Sequence, residues 1–224
     1  MKNISQEELN EILKKHKMWL KDKESGKRAD LRGVNLSYVY LKDANLEDAD
    51  LSGANLMSAN LWNANLRYSD LRRVDLRNTN LMSADLRSAD LRSADLRYAN
   101  LKDANLRYVK TNINTIGYNL ACPDKGSFIG YKKANDCIIE LLILEDSKRS
   151  SATTAKCRCD KVKVLDIENI DTGEKVEEVK SSYDKNFIYR VGEIIKVDDF
   201  DDDRWNECAP GIHFFMNKEN ALNY

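Results

Sequence analysis

The sequence is short of several things at once. It contains two histidines and five cysteines in 224 residues. No apolar run approaches the roughly 18 residues needed to span a bilayer. Lysine and arginine (36) nearly cancel aspartate and glutamate (37), leaving a formal net charge of −1. General nucleic-acid binders and membrane-surface binders carry a visible excess of base, so both classes are disfavoured. The opening stretch, MKNISQEELNEILKKHK, lacks the uninterrupted apolar core and small-residue cleavage site of a signal peptide. Cys122, Cys137, Cys157, Cys159 and Cys208 form an odd, sparse set, unlike the even count of a small disulfide scaffold. The expectation is a cytoplasmic protein with reduced thiols and no membrane partner.

Catalytic signatures are missing too. There is no G-x-S-x-G, no glycine-rich phosphate loop, no H-E-x-x-H and no convincing nucleophile–base pair. Neither an enzyme nor a cofactor is expected. A cryptic activity would have to be built on His213 with Cys208 or an acid.

What the sequence does have is a period. Leucine occupies position 31 and every fifth position onward to 106, sixteen in unbroken register. Two residues before each leucine stands a small or β-branched residue, usually alanine. The exceptions are Val34, Val39, Ser69, Val74 and Thr79. Between the two lies Asp or Asn at every site but Tyr40. In an α-helix, leucines at this spacing would spiral around the rod and form no single face. In a flat strand the odd spacing would send alternate leucines to opposite sides. A chain that turns a corner once per five residues sends every leucine to one axis, and stacked coils then satisfy each other's backbone groups. The period alone does not say how many sides the coil has.

Tandem A-(D/N)-L-X-X resembles the pentapeptide-repeat family. The resemblance covers about residues 29–110 and implies a right-handed, quadrilateral β-helix of about four coils. An open solenoid end exposes unpaired edges and needs a cap. Ser5 with Glu8 forms a capping-box signature, and Leu9, Ile12, Leu13, His16 and Leu20 fall at helical spacing. A capping helix is therefore predicted at about 5–22, with His16 packing rather than doing chemistry.

Four units to the coil would stack residues twenty apart. Arg72 then lies over Arg92, Arg77 over Arg97, and Arg67, Arg87 and Arg107 share a side. Like charges about 5 Å apart repel and need acid or a bound anion nearby. Asp70, Asp75, Asp85, Asp90 and Asp95 can supply the acid, giving a solvated charge lattice. Alternatively Arg67, Arg87 and Arg107 with Trp62 form an interaction surface. Some pentapeptide-repeat proteins mimic DNA towards type II topoisomerases through a strongly acidic surface. Residues 29–110 hold twelve basic and eleven acidic side chains, so no polyanion is presented.

The register fails after Val109, and Cys122-Pro123 with Asp124-Lys125-Gly126 reads as a boundary. Strand-like runs follow: FIGYKKA (128–134), CIIELLIL (137–144), KVKVLDI (161–167), EKVEEVK (174–180), FIYRV (187–191), EIIKV (193–197) and GIHFF (211–215). Asp171-Thr172-Gly173 reads as a hairpin turn, and NKENALNY as a closing helical turn. The expected division is a capping segment 1–28, a solenoid 29–112, an exit 113–125 and a β-rich (α+β) C-terminal domain 126–224. The string from GSFIGYKKA to GIHFF resembles a domain attached to pentapeptide repeats in phage proteins. That implies a phage-related origin, and hence a host-cell location, but no catalytic residue.

Two candidate sites lie in this second half. Lys148, Arg149, Ser150 and Ser151, with Arg158 and His213 as neighbours, mix base with hydroxyls as a phosphate-wrapping segment would. They also read as a polar loop. Cys157, Cys159, Cys208 and His213 form a zinc candidate of non-standard spacing, against the simpler reading of buried thiols. The acidic run Asp198–Asp203 lacks the glycine and spacing of a calcium loop. The leading function is a non-enzymatic interaction protein presenting its C-terminal domain to a host or phage protein, with a counter-defence role. The alternative is a small-ligand binder that sequesters a phosphate-bearing molecule such as a signalling nucleotide. DNA mimicry comes third. A homo-oligomer formed side by side or through the C-terminal domain stays open.

Overall fold

The computed structural model describes residues 1–224, which form two compact units, Met1–Asn119 and Leu120–Tyr224. No helix is long and apolar enough to cross a membrane.

In the first unit, each five-residue segment makes one bend. The leucine carbonyl accepts the N–H of the residue three places on, as in Ala54 N–H to Leu51 O at 3.0 Å. The second residue after the leucine lies in the left-handed region at every repeat, from Gly33 to Tyr108, with φ between 56° and 66°. Only two of these residues are glycine (Gly33 and Gly53). Most of the others are Asp, Asn, Ser or Tyr. A left-handed φ costs a non-glycine residue roughly 1–2 kcal/mol, so the bend is imposed by packing and not by local preference.

Parallel bridges join residues twenty apart, Asp30↔Asp50, Asn35↔Asn55, Tyr40↔Asn60 and Asn45↔Asn65, and then continue upward from Asp50↔Asp70. Each repeat bonds its neighbours in the same way. Leu51 N–H donates to Asp70 O (2.9 Å), Gly53 N–H to Arg72 O (2.8 Å), and Asp50 N–H to Ala29 O (3.0 Å). The fifteen leucines from Leu31 to Leu101 are at most 1% exposed, and nearly all of the alanine positions are buried with them. Burying each leucine stabilises the unit by about 2 kcal/mol before chain entropy is counted. Two polar exceptions are resolved internally. Ser69 Oγ donates to Leu66 O and Thr79 Oγ1 to Leu56 O, both at 2.7 Å.

The ladder runs further than the leucine register. Leu96 N–H donates to Ile116 O and Ile116 N–H to Ala94 O, with Asp95 bridging Ile116. One inserted residue shifts the register, and buried Thr115 takes an inward position, donating to Leu91 O. The segment read as exit from 113 therefore begins as more of the coil.

At the other end, β1 (Lys2–Asn3) pairs in parallel with β2 (Val34–Asn35) and covers the edge of the first coil. Helix α1 (Gln6–Lys21) starts at Ser5 with both halves of the capping box formed, and buries Leu9 and His16. His16 Nδ1 accepts Ala29 N–H at 3.1 Å while its ring stacks on Trp19. Burial lowers its pKa, which keeps the acceptor lone pair in place. Gly26 (φ 82°) closes this cap, because a Cβ there would meet Lys15 O at 2.3 Å.

The second unit is a seven-stranded antiparallel sheet in the order β10-β7-β4-β3-β11-β6-β5. Its strands are β3 (Phe128–Ala134), β4 (Cys137–Ile143), β5 (Arg149–Ser151), β6 (Lys156–Cys159), β7 (Lys161–Asn169), β10 (Ile194–Lys196) and β11 (Ile212–Phe215). A separate hairpin pairs β8 (Glu178–Lys180) with β9 (Ile188–Arg190), and α2 (Lys218–Leu222) follows β11. The core joins Ile139, Leu141 and Ile143 to Val162, Val164, Ile167, Ile212 and Phe214. Gly130 is bare because a Cβ would lie 2.6 Å from the Phe214 ring. Short β5 and β6 are absent from the sequence reading. β5 is polar throughout, and both are too short to show a period.

Two outcomes are expected. Leu71→Ala removes a fully buried side chain and should cost roughly 3–4 kcal/mol in denaturant unfolding; a cost under about 1 kcal/mol would contradict the packed column. The second concerns acid. Arginine partners lower the pKa of Asp70, Asp75, Asp85, Asp90 and Asp95, and that of Asp30 falls from 3.8 to about 2. A depressed folded pKa gives stability that is present above 3.8 and lost as pH falls toward the folded values. His16 contributes its own loss at higher pH, below 6.5, so the aspartate part is read as a difference. Thermal unfolding followed by circular dichroism should show wild type losing more between about pH 4 and 2 than a variant carrying Asp→Asn at 70, 75, 85, 90 and 95.

Candidate ligand cleft in the C-terminal unit

The outward charges of the repeats follow a rule that the sequence contains but composition hides. Where the leucine sits between Asp and Arg, the two side chains join across it. Asp70 accepts Arg72 N–H through Oδ1 (3.0 Å) and holds the guanidinium from both carboxylate oxygens, with Arg72 Nη2 to Asp70 Oδ2 at 2.5 Å. The same fork recurs at Asp30/Arg32, Asp75/Arg77, Asp85/Arg87, Asp90/Arg92 and Asp95/Arg97. Where Asn replaces Asp, as before Arg67 and Arg107, no carboxylate is engaged. Arg67 instead lies over the Tyr68 ring at 5.3 Å. Of the proposed surface residues, Trp62 carries Lys42 over its ring at 3.9 Å, and Arg87 is already neutralised by Asp85.

In the second unit, alternation along short strands disperses the phosphate candidate. Arg149 spends its guanidinium on the carbonyls of Gly126, Leu144, Glu145 and Ser147. Ser151 Oγ accepts Ala121 N–H at 2.8 Å, and exposed Lys148 pairs with Asp202 at 3.3 Å. These residues form strand β5 and its approach, and no helix opens there. Buried Arg158 donates to the carbonyls of Asp201, Asp203 and Pro210, fastening the acidic run by its backbone. Register does place Ser150, Arg158 and His213 in one cross-strand row.

The zinc candidate fails for the same reason. Cys157 and Cys159 lie in the apolar core, His213 is paired opposite Arg158 on the other face, and Cys208 is exposed. No three of His, Cys, Asp and Glu converge anywhere in the chain. The hydrogen bond with Cys122, and then burial, keep the Cys157 thiol protonated, and burial does the same at Cys159.

A different site appears where the sheet opens. Strand β11 pairs with β6 at all four of its residues, but with β3 only at Phe215↔Tyr131. Where that second ladder lapses, the Lys132 amine donates to His213 O at 3.3 Å, in place of a strand N–H. The gap opens into a cavity of about 610 Å³ lined by Lys132, Lys133, Lys156, Phe187, Tyr189, His213, Phe215 and Tyr224, among others. That volume is within the range of small-molecule sites. Burial and the nearby Lys156 charge lower the Lys132 pKa to about 8. Burial, helped by Lys156, Lys132 and Arg158, pushes His213 down to about 4, and its Nε2 is buried with no partner. Lys156 bonds the Tyr224 hydroxyl at 3.2 Å. The cleft thus combines aromatic walls, a neutral imidazole and three amines with the carboxylates of Asp184 and Asp199 and the thiol of Cys208. FIGYKKA reads as an ordinary strand in the sequence. The only signal for Lys132 is a lysine on the inward side of an alternating run.

Comparison with known proteins divides the chain the same way. Residues 27–63, 59–97 and 84–110 match the model of pentapeptide repeats, in eight copies, and residues 118–221 match a family of unknown function, DUF5758. No curated protein matches the chain. Among solved structures, a pentapeptide-repeat protein from Nostoc PCC 7120 is 38% identical over 46% of this chain and 80% of its own, with a TM-score of 0.41. One from the Arabidopsis thaliana thylakoid lumen is 31% identical over 39% and 65%, with a TM-score of 0.35. One from Cyanothece 51142 is 34% identical over 42% and 67%, with a TM-score of 0.25. Through the repeats of its first half, the chain belongs to the pentapeptide-repeat family, with a DUF5758 domain following them in sequence.

Proposed function

We propose that the chain is a non-enzymatic interaction protein in which a right-handed, four-sided solenoid is the scaffold and the C-terminal domain is the recognition element for a host or phage protein. The observation that carries this reading is the fork of Asp and Arg across each D-L-R. Six outward arginines, half of the basic residues of 29–110, are satisfied within their own repeats. The same forks oppose DNA mimicry, because the aspartates a mimic would display are engaged by guanidinium groups. The phage origin and a counter-defence role rest on the resemblance of the C-terminal string alone.

A second reading, the capture of a small phosphate-bearing ligand, is favoured by the cleft itself. Its volume of about 610 Å³ and its Lys132, Lys133 and Lys156 suit an anionic group beside an aromatic or planar body.

Variants of the full chain separate these readings. A protein partner recovered from host lysate should be lost with Lys133→Glu/Lys156→Glu and kept with Arg67→Ser/Arg107→Ser. The reverse pattern would move recognition to the solenoid and overturn the proposal. For the second reading, calorimetry with ATP and with inorganic phosphate should give binding heat that the Lys133→Glu/Lys156→Glu variant abolishes. Equal heats in both proteins, or none in wild type, would remove it.

A further inference from the structure

Lys132 holds its amine out of water without a carboxylate partner. Lys148, Lys161, Lys175, Lys196 and Lys218 each lie within 4 Å of a carboxylate, and Lys133 and Lys156 bond Leu222 O and the Tyr224 hydroxyl, whereas Lys132 bonds only the neutral carbonyl of His213. Its amine is held 5.8 Å from the centre of the buried Tyr189 ring, at the wall of the cleft. Asp184 and Asp199 line the same cleft, but neither pairs with the Lys132 amine, whose one hydrogen bond is to His213 O. Lys156 is cationic, His213 is neutral, and the thiol of Cys159 and the phenol of Tyr189 are both held protonated by burial. A desolvated ammonium without a carboxylate is unfavourable, and the neutral amine is the form such a site stabilises. Neutral amines add to carbonyl carbons.

We propose that Lys132 is a nucleophilic amine that captures a small anionic aldehyde or ketone in this cleft as a reversible imine. The amine nitrogen bonds to the carbonyl carbon, giving a carbinolamine. Loss of water then forms C=N, and the carbonyl oxygen leaves with two hydrogens originally on the nitrogen. No electrons are transferred and no co-reactant is needed, and addition of water returns both partners. Lys156 at the cleft supplies positive charge for the ligand's anionic group, and Phe187 with Tyr189 forms an apolar wall. The inference rests on the reading of the cleft as a ligand site and adds the chemistry by which a ligand is held.

The probe is pyridoxal 5′-phosphate, an aldehyde carrying a phosphate. It is mixed with the full chain near stoichiometry at pH 7, reduced with cyanoborohydride and mapped by peptide mass spectrometry. Lys132 should be the principal adduct, forming about ten-fold or more faster than at an exposed lysine such as Lys196, because more of it is neutral at that pH. Lys132→Arg puts a permanent cation in the same place, so it should lose that adduct alone at some cost in melting temperature. Lys132→Met should lose the same adduct without burying a charge. Adducts spread over exposed lysines with Lys132 unmodified would overturn the imine. If ATP or phosphate still gives binding heat in that case, the cleft survives as a non-covalent site. If it does not, both readings fail.

Discussion

A backbone that turns once every five residues satisfies only part of its own N–H and C=O groups within the bend, so the rest must find the coil above or below. That requirement organises the first half of the chain. The ladder bonds of 2.7–3.1 Å between residues about twenty apart form only if every bend has one shape, and that shape needs a left-handed residue two places after each leucine. Asp or Asn just before the leucine supports the bend by accepting the N–H two residues on. The leucine is then carried inward at every bend. The period seen in the sequence is therefore the period of a backbone constraint, and the apolar core follows from it.

Some of this is legible without coordinates and some is not. Leucine and alanine report the inward face directly, and Ser5 with Glu8 reports the helix start. Ser69 and Thr79 look like lapses but are buried hydroxyls that donate to carbonyls inside the bore. The continuation to Ile116 is hidden by a single inserted residue, which destroys the register on paper while the hydrogen bonds simply step over it. D-L-R is plain in the sequence as a string. Its meaning requires the bend, in which the Asp carboxylate accepts the Arg N–H and holds the guanidinium while the leucine between them turns inward.

In the C-terminal domain, the long strands are legible because each buries one face. Phe128–Ala134 and Cys137–Ile143 coincide with apolar runs, whereas three- and four-residue β5 and β6 carry too few positions to show alternation. That omission misplaced the phosphate candidate. A loop would have let Lys148, Arg149, Ser150 and Ser151 converge, but a strand sends neighbours to opposite faces. The cleft has no local signature, since it depends on where β11 stops pairing with β3, a contact between residues more than eighty apart in the chain.

The two halves deal with cationic side chains in opposite ways, and the difference bears on where chemistry can occur. On the solenoid, an arginine close to a like arginine one coil away is held by a carboxylate of its own repeat, and both remain in contact with water. Such a pair is screened by solvent and keeps both of its charges at neutral pH. At Lys132 no carboxylate is offered, and the same like-charge pressure, from Lys156, acts on a group whose hydration has been removed. An arginine could not relieve that pressure by losing its proton, but a lysine can. The choice of lysine at a gap in the sheet is therefore physically different from the choice of arginine along the repeats. One favours a permanent, neutralised surface, and the other an amine whose protonation state responds to whatever enters beside it.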